Sequence, residues 1–182
     1  MEKQKPENRW IFEGIVGFQF GAFSLLELSP VAGYKVSESF VPGIGLTYQF
    51  SNYQNFYLNT ETGNHEDRRV NILGARVFGR YYFNNWFEGL LSGLFAHAEF
   101  EYLTYTREFV MDGNGKYVDR YGYPYAKGNE NLRIPGLLIG GGLVQPIGGK
   151  LYTNILVLYN LNQTRDTPYS NPIFRIGFGV GL

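Results

Sequence analysis

The chain has 182 residues, no cysteine, and 16 basic against 16 acidic side chains, so its formal net charge is zero. That balance excludes disulfides, thiolate metal sites and cysteine nucleophiles, and it leaves no electrostatic footprint for nucleic acid. Tyr and Phe number 15 each and Gly 24, yet mean hydropathy is only -0.22, and no apolar run approaches the ~18 residues of a membrane helix; any membrane span must be β.

Residues 1–8 (MEKQKPEN) are polar and lack the apolar stretch of a signal peptide, so they are expected to form a short periplasmic N-terminal segment of a mature chain. Residues 9–182 are expected to form one domain. Strand one, residues 10–21, sets Trp10, Phe12, Val16, Phe18 and Phe20 on one face and Glu13, Gly17 and Gln19 on the other. After a short connection near Phe23, residues 24–35 alternate Leu26, Leu28, Ala32 and Tyr34 with Glu27, Ser29, Gly33 and Lys35. VSES turns, and residues 40–50 alternate Ile44, Leu46, Tyr48 and Phe50 with Gly43, Gly45, Thr47 and Gln49. Residues 52–69 are polar and aperiodic, which predicts a long loop.

The clearest signal is NILGARVFGRYYF, then NNW, then FEGLLSGLFAHAEFEY, over residues 71–102. Leu73, Ala75, Val77, Tyr81 and Phe83 share one face against Arg76 and Arg80; Leu94, Ala96, Ala98, Phe100 and Tyr102 share one against His97, Glu99 and Glu101. Period-two alternation over this length means strands. Large charges beside small Gly residues fit the inside of a barrel and the aromatic-rich face fits its outside, at the ~9 to 11 residues that a tilted membrane strand needs. A turn at Asn84, Asn85 and Trp86 would set Gly89 and Gly93 opposite Arg80 and Arg76, leaving room for the guanidinium groups.

Residues 106–131 form the longest excursion, with Asp112-Gly113-Asn114-Gly115 predicted as a hairpin turn between REFVM and KYVDRY. Residues 132–145, Gly-rich and apolar on both faces, residues 151–162, and residues 171–182 complete the strands. Long connections alternate with short ones, as in barrels with short periplasmic turns and long outer loops. Aromatics cluster near both ends, as interfacial girdles do. The expectation is an all-β, closed, antiparallel up-and-down transmembrane β-barrel of about eight strands, with both termini periplasmic and the long loops extracellular.

In the last strand, NPIFRIGFGVGL, residues Phe174, Ile176, Phe178, Val180 and Leu182 stand at every second position; this resembles the C-terminal strand that the outer-membrane insertion machinery recognises, with Leu182 where Phe is usual. Together with LSPVAGYKVSE, VFGRYYF, FAHAEFEY, GGGLVQPIGG and PYSNPIFRIGFGVG, the chain from Trp10 onward resembles the small eight-stranded outer-membrane β-barrel proteins of Bacteroidota, of the OmpA/OmpX-like type. The resemblance implies a Gram-negative outer membrane as the location. It also implies the lipid bilayer and the insertion machinery as partners, with another outer-membrane protein or lipoprotein as a further one.

The inward charges form a candidate interior network: Glu13, Glu27, Lys35, Arg76, Arg80, His97, Glu99, Glu101, Arg133 and Arg175. An eight-stranded barrel is just filled by its side chains, and buried charges persist only when paired. A salt-bridged plug is therefore expected, with a catalytic or conducting role as the alternative. Some lipid-modifying barrels place Ser two residues after a His; here His97 is followed by Ala98 and Glu99. His65, beside Glu66 and Asp67, reads as a solvated loop residue. The 112–115 cluster lacks the ligand pattern of a calcium loop, since Lys116 occupies a ligand position. No catalytic, metal or cofactor residue is assigned. Tyr117, Asp119, Arg120, Tyr121, Tyr123 and Tyr125 form a candidate partner-binding loop, because Tyr is enriched at interfaces. The reading is a non-enzymatic structural or accessory component of an outer-membrane complex. Its alternatives are a small outer-membrane enzyme acting on lipid and a soluble ligand-binding barrel.

Overall fold

A computed structural model describes residues 9–19, 23–83, 86, 89–164, 166–169 and 171–181. Among these residues nine strands follow one another: β1 (Trp10–Gln19), β2 (Phe23–Tyr34), β3 (Phe40–Asn59), β4 (His65–Tyr82), β5 (Leu94–Met111), β6 (Tyr117–Asp119), β7 (Pro124–Gly148), β8 (Leu151–Asn160) and β9 (Ile173–Val180). Eight of them pair antiparallel in the closed circuit β1-β2-β3-β4-β5-β7-β8-β9, and β9 returns to β1 from Phe12↔Val180 to Ile15↔Gly177. Closure leaves no long sheet edge in that ring. The fold is an all-β antiparallel barrel, and among the described residues no helix is long and apolar enough to cross a membrane.

The side-chain alternation is continuous through the wall. On β8, Tyr152, Asn154, Leu156, Leu158 and Asn160 are buried while Leu151, Ile155, Val157 and Tyr159 are exposed; on β9, Ile173 and Arg175 are buried between the exposed Phe174, Ile176, Phe178 and Val180. Inside, one apolar cluster contains Ile11, Val41, Tyr82, Phe95 and Tyr152, and another contains Val70, Ile72, Leu103, Tyr105 and Ile134.

Several local expectations change. Residues 52–69 are mostly strand, with the turn confined to 60–64: β3 and β4 keep pairing to Leu58↔His65 across an irregularity between Tyr53 and Tyr57. Asn55 takes a positive φ of 51° there, which bulges the strand and resets its alternation. Asp112 to Gly115 does turn, with Gly115 N–H donating to Asp112 O at 2.9 Å, but the arms do not pair with each other. Met111 and Tyr117 both pair with Tyr125 of β7, and β6 pairs on its other side with β3, Tyr57↔Asp119 to Asn59↔Tyr117. Strands β3, β4, β5, β7 and β6 thereby make a second, smaller circuit above the main ring.

The β4–β5 connection contains a 3₁₀ turn, Gly89–Leu91, so the register is Arg80↔His97 and Arg76↔Glu101. Gly89 and Gly93 do not face the arginines. Room for Arg76 comes instead from Gly45, where a Cβ would lie 3.1 Å from Arg76 Cγ, and room for its neighbour Glu101 from Gly136, where a Cβ would lie 2.8 Å from Glu101 Cγ. The expectations for residues 1–8, Phe20, the Asn84 and Asn85 turn and Leu182, and for the side chains of Val16, Phe18 and Gln19, lie outside the described residues.

Candidate functional site

Two regions gather polar chemistry: the middle of the lumen, and a cleft where the main barrel meets the smaller circuit. The first is built by strands whose inward parity delivers one charge each or more. Arg80 of β4 donates to Glu13 of β1 through both terminal guanidinium nitrogens, Nη1 and Nη2, at 2.5 and 2.8 Å, and Tyr152 of β8 donates its hydroxyl to the same carboxylate at 2.7 Å. Arg80 Nε donates to His97 Nδ1 at 3.3 Å, which leaves the ring proton on Nε2, directed at Glu99 Oε2 at 3.1 Å. Arg175 of β9 bonds Glu99 at 2.8 Å and Glu101 at 3.4 Å, and Arg76 lies 3.6 Å from Glu99. Rings of Phe78 and Phe95 flank the Arg80 guanidinium at 4.9 and 5.1 Å, a desolvated cation–π arrangement.

All eight of these charged or titratable residues are at most 8% exposed. Glu27 is half-buried and accepts the Ser29 hydroxyl at 3.1 Å, and Lys35 is half-buried just after β2 ends. Arg133 departs from the expectation: it is exposed on the outer wall opposite Thr104. The reason is parity, because Ile134, Gly136 and Leu138 turn inward, Gly136 to clear Glu101, and that sends Arg133 and Pro135 out. His97 has both nitrogens engaged and is 4% exposed. His65 is exposed at the start of β4.

The smaller circuit has an aromatic interior. Tyr57 stacks on Phe109 with ring centroids 4.0 Å apart, and Phe56 and Tyr125 meet Tyr57 edge-on at 4.9 and 5.3 Å; such pairs add to simple burial. Burial pushes the Tyr57 phenol up to about 12. Of the loop residues, Tyr125 and Asp119 are buried, Tyr117 is half-buried, and Arg120, Tyr121 and Tyr123 are exposed. Asp119 is a structural cap: its Oδ1 accepts the backbone N–H groups of Tyr121 and Tyr123, each at 2.9 Å.

Between this cap and the lumen lies a cleft of about 340 Å³, bounded by the cap tyrosines, Arg68, Arg107 and the 166–168 connection. Tyr105 donates its hydroxyl to Asp166 O at 2.8 Å, while Arg107 bonds Glu130 at 2.5 Å and Asp166 at 3.3 Å, so three elements are pinned together. Burial opposes the charge of Arg107, but Glu130 and then Asp166 outweigh it and raise its pKa. Arg68 lies over the rings of Tyr53 and Phe56 at 5.6 and 5.3 Å. The cleft was not legible as a site, since its residues come from segments 51–72, 105–125 and 166–168 with no shared motif. Among the described residues, no group of His, Asp and Glu is arranged to hold a metal ion.

No family model and no curated protein matches the sequence. Among solved structures, the chain is similar to the N-terminal β-barrel domain of Pseudomonas aeruginosa OprF, with 13% sequence identity, a TM-score of 0.33, and 96% of each chain covered.

Proposed function

We propose that this chain is an integral outer-membrane β-barrel with a filled lumen, which serves without catalysis as an accessory component and presents its cap to partners outside the cell. The observation that carries the membrane reading is an inversion of polarity along single strands. On β5 the outward residues Ala98, Phe100 and Tyr102 give way to Thr104, Thr106 and Glu108, while inward His97, Glu99 and Glu101 give way to Leu103, Tyr105 and Phe109. On β4, outward Tyr81, Val77, Ala75 and Leu73 give way to Asn71 and Arg69, and inward Arg80 and Arg76 to Ile72 and Val70. Arg133 falls just past the same level on β7.

A wall that faced water throughout would have no reason to change. The outward apolar run from Leu73 to Tyr81 covers about nine residues, matching the ~9 to 11 of a membrane-spanning strand. Trp10, Tyr34, Phe40, Tyr81 and Trp86 sit at the short-turn end, and Tyr48, Tyr102 and Tyr159 near the other, where interfacial aromatics belong. The start of β1 at Trp10 and the end of β9 at Val180 lie with the short turns, which the pattern of such barrels assigns to the periplasmic side. The resemblance of its strands to small barrels of Bacteroidota supports the same location.

An accessory rather than enzymatic role is supported by the state of His97: it is enclosed, doubly bonded and without a hydroxyl or thiol nucleophile two residues on. In cells, the protein should fractionate with outer membrane and migrate differently on SDS gels with and without boiling, because backbone pairing runs around the whole ring and closes it between β9 and β1. Recovery as a detergent-free soluble monomer would overturn the membrane reading. Replacing residues 108–129 with a short Gly-containing linker, across the Arg107↔Glu130 pair, should keep heat-modifiability and abolish partner co-purification; retention of every partner would overturn the accessory reading.

A further inference from the structure

We infer that the cleft under the cap is a binding site for an acidic saccharide, a sugar carrying a carboxylate or a phosphate. Its volume, about 340 Å³, falls in the ~300 to 1,000 Å³ range of small-molecule sites. Two features of its wall select the ligand.

The first is a surplus of guanidinium donors without acceptors. Arg107 is matched by Glu130 and Asp166. Arg68 forms no ion pair among the described residues and instead faces the Tyr53 and Phe56 rings. The Nε–H groups of Arg68 and Arg107 are both buried with no hydrogen-bond partner among the described residues. Of the two acids in the wall, Asp166 is paired with Arg107 and Asp119 is already committed to the Tyr121 and Tyr123 backbone. Buried donors without acceptors are costly, and a guanidinium answers that cost best with a planar or tetrahedral oxyanion.

The second feature is an aromatic rim with polar tips. Tyr121 is 72% exposed and Tyr123 49%, on a turn that Asp119 holds fixed. Tyr105 stands on the other side, held by its bond to Asp166. Rings of this kind offer a face to the C–H side of a pyranose, and their hydroxyls reach its edges at little entropic cost. A bare anion would use the arginines and leave the rim idle; a neutral sugar would do the reverse.

The inference rests on the outward placement of the cap only for the source of the ligand, a cell-surface glycan. Binding is measured on detergent-solubilised full-length protein, so its failure would leave the membrane reading standing, and failed membrane fractionation would leave a binding result intact. Calorimetric titration with trigalacturonate and with glucose 6-phosphate, against maltotriose and inorganic phosphate, should give saturable binding of at least one acidic sugar and none of maltotriose. Arg68→Gln should weaken it tenfold or more and Tyr121→Ala several-fold, both with unchanged heat-modifiability; Tyr121 is exposed enough that its loss leaves the cap folded. Binding of glucose 6-phosphate alone would support the inference and identify phosphorylated sugars as the source, and binding of trigalacturonate alone would identify uronates. Absence of saturable binding to both, Arg68→Gln binding like the parent, or inorganic phosphate binding as tightly as glucose 6-phosphate with no effect of Tyr121→Ala would each overturn it.

Discussion

The lumen and the cap share four strands, β3, β4, β5 and β7, yet the lumen adds a buried charge network to its apolar cluster while the cap interior is mainly aromatic. In the lumen, arginines and glutamates are enclosed and the wall outside is Leu, Ile, Val and Phe; in the cap, Phe56, Tyr57, Phe109 and Tyr125 are enclosed and the outer face is polar. The change occurs within two residues on β4 and β5, at a level where Leu73 pairs with Thr104 and Thr104 with Arg133. The surroundings dictate which face is apolar, and the space inside takes what remains. Inside the cap that is a small core of ordinary type. Inside the barrel it is a set of charges that must satisfy one another, since burial without partners costs several kcal/mol per ion.

This difference sets what each region tolerates. Arg80→Ala would strand Glu13 in the lumen with Tyr152 as its remaining donor; breaking one side of a buried pair costs about 3 to 5 kcal/mol, and the urea midpoint of refolded protein in detergent should fall accordingly. Glu13→Gln combined with Arg80→Met should recover much of that loss, because it removes both charges together. A parent-like midpoint for Arg80→Ala would show that the lumen is not held by this pair. Gly45→Val should come next, at about 1 to 3 kcal/mol of overpacking, since its Cβ would come within 2.5 Å of Val31 Cγ1.

The cap should fail by itself. Tyr57→Ala removes the stacked partner of Phe109, so hydrogen exchange over residues 107–130 should accelerate while the global midpoint stays nearly fixed. Acceleration across the whole barrel would mean that the two regions unfold as one. Alkali offers a second handle on the same residue. Burial raises the Tyr57 pKa to about 12, above the ordinary tyrosine value of about 10. Its contribution is therefore fully present below pH 10 and is lost as pH rises through 12, because the unfolded phenol ionises first. Cap protection should decline over that window in the parent and less steeply in Tyr57→Phe. Smallest of all, Arg133→Gln on the outer wall should shift the midpoint by no more than about 0.5 kcal/mol.

Much of the wall was legible because one face of each strand carries charge or glycine and the other grease, a pattern that needs no tertiary knowledge. The lumen residues on β4 and β5 followed directly from it. Arg133 did not, because charge was taken to mean inside along the whole chain, and that rule reverses where the strand leaves the apolar layer. Residues 52–69 read as loop for a related reason: a solvated two-sided strand has polar composition, and the Asn55 bulge breaks what periodicity remains. Gly89 and Gly93 were misplaced by assuming the shortest turn. The cleft was invisible, since its walls meet only after β6 bridges β3 and β7.

The central claim is that the outward face changes from lipid to water along single strands. Because the chain has no cysteine, one fluorophore can be attached at a time, at outward positions that do not disturb the lumen: Ile44, Val77, Phe100 and Ile176, then Arg69, Glu108 and Tyr121. In proteoliposomes, brominated lipid should quench the first four and aqueous iodide the last three, with the crossover between Tyr102 and Thr104 on β5. Iodide reaching Val77 and Phe100 as readily as Glu108 would contradict the account.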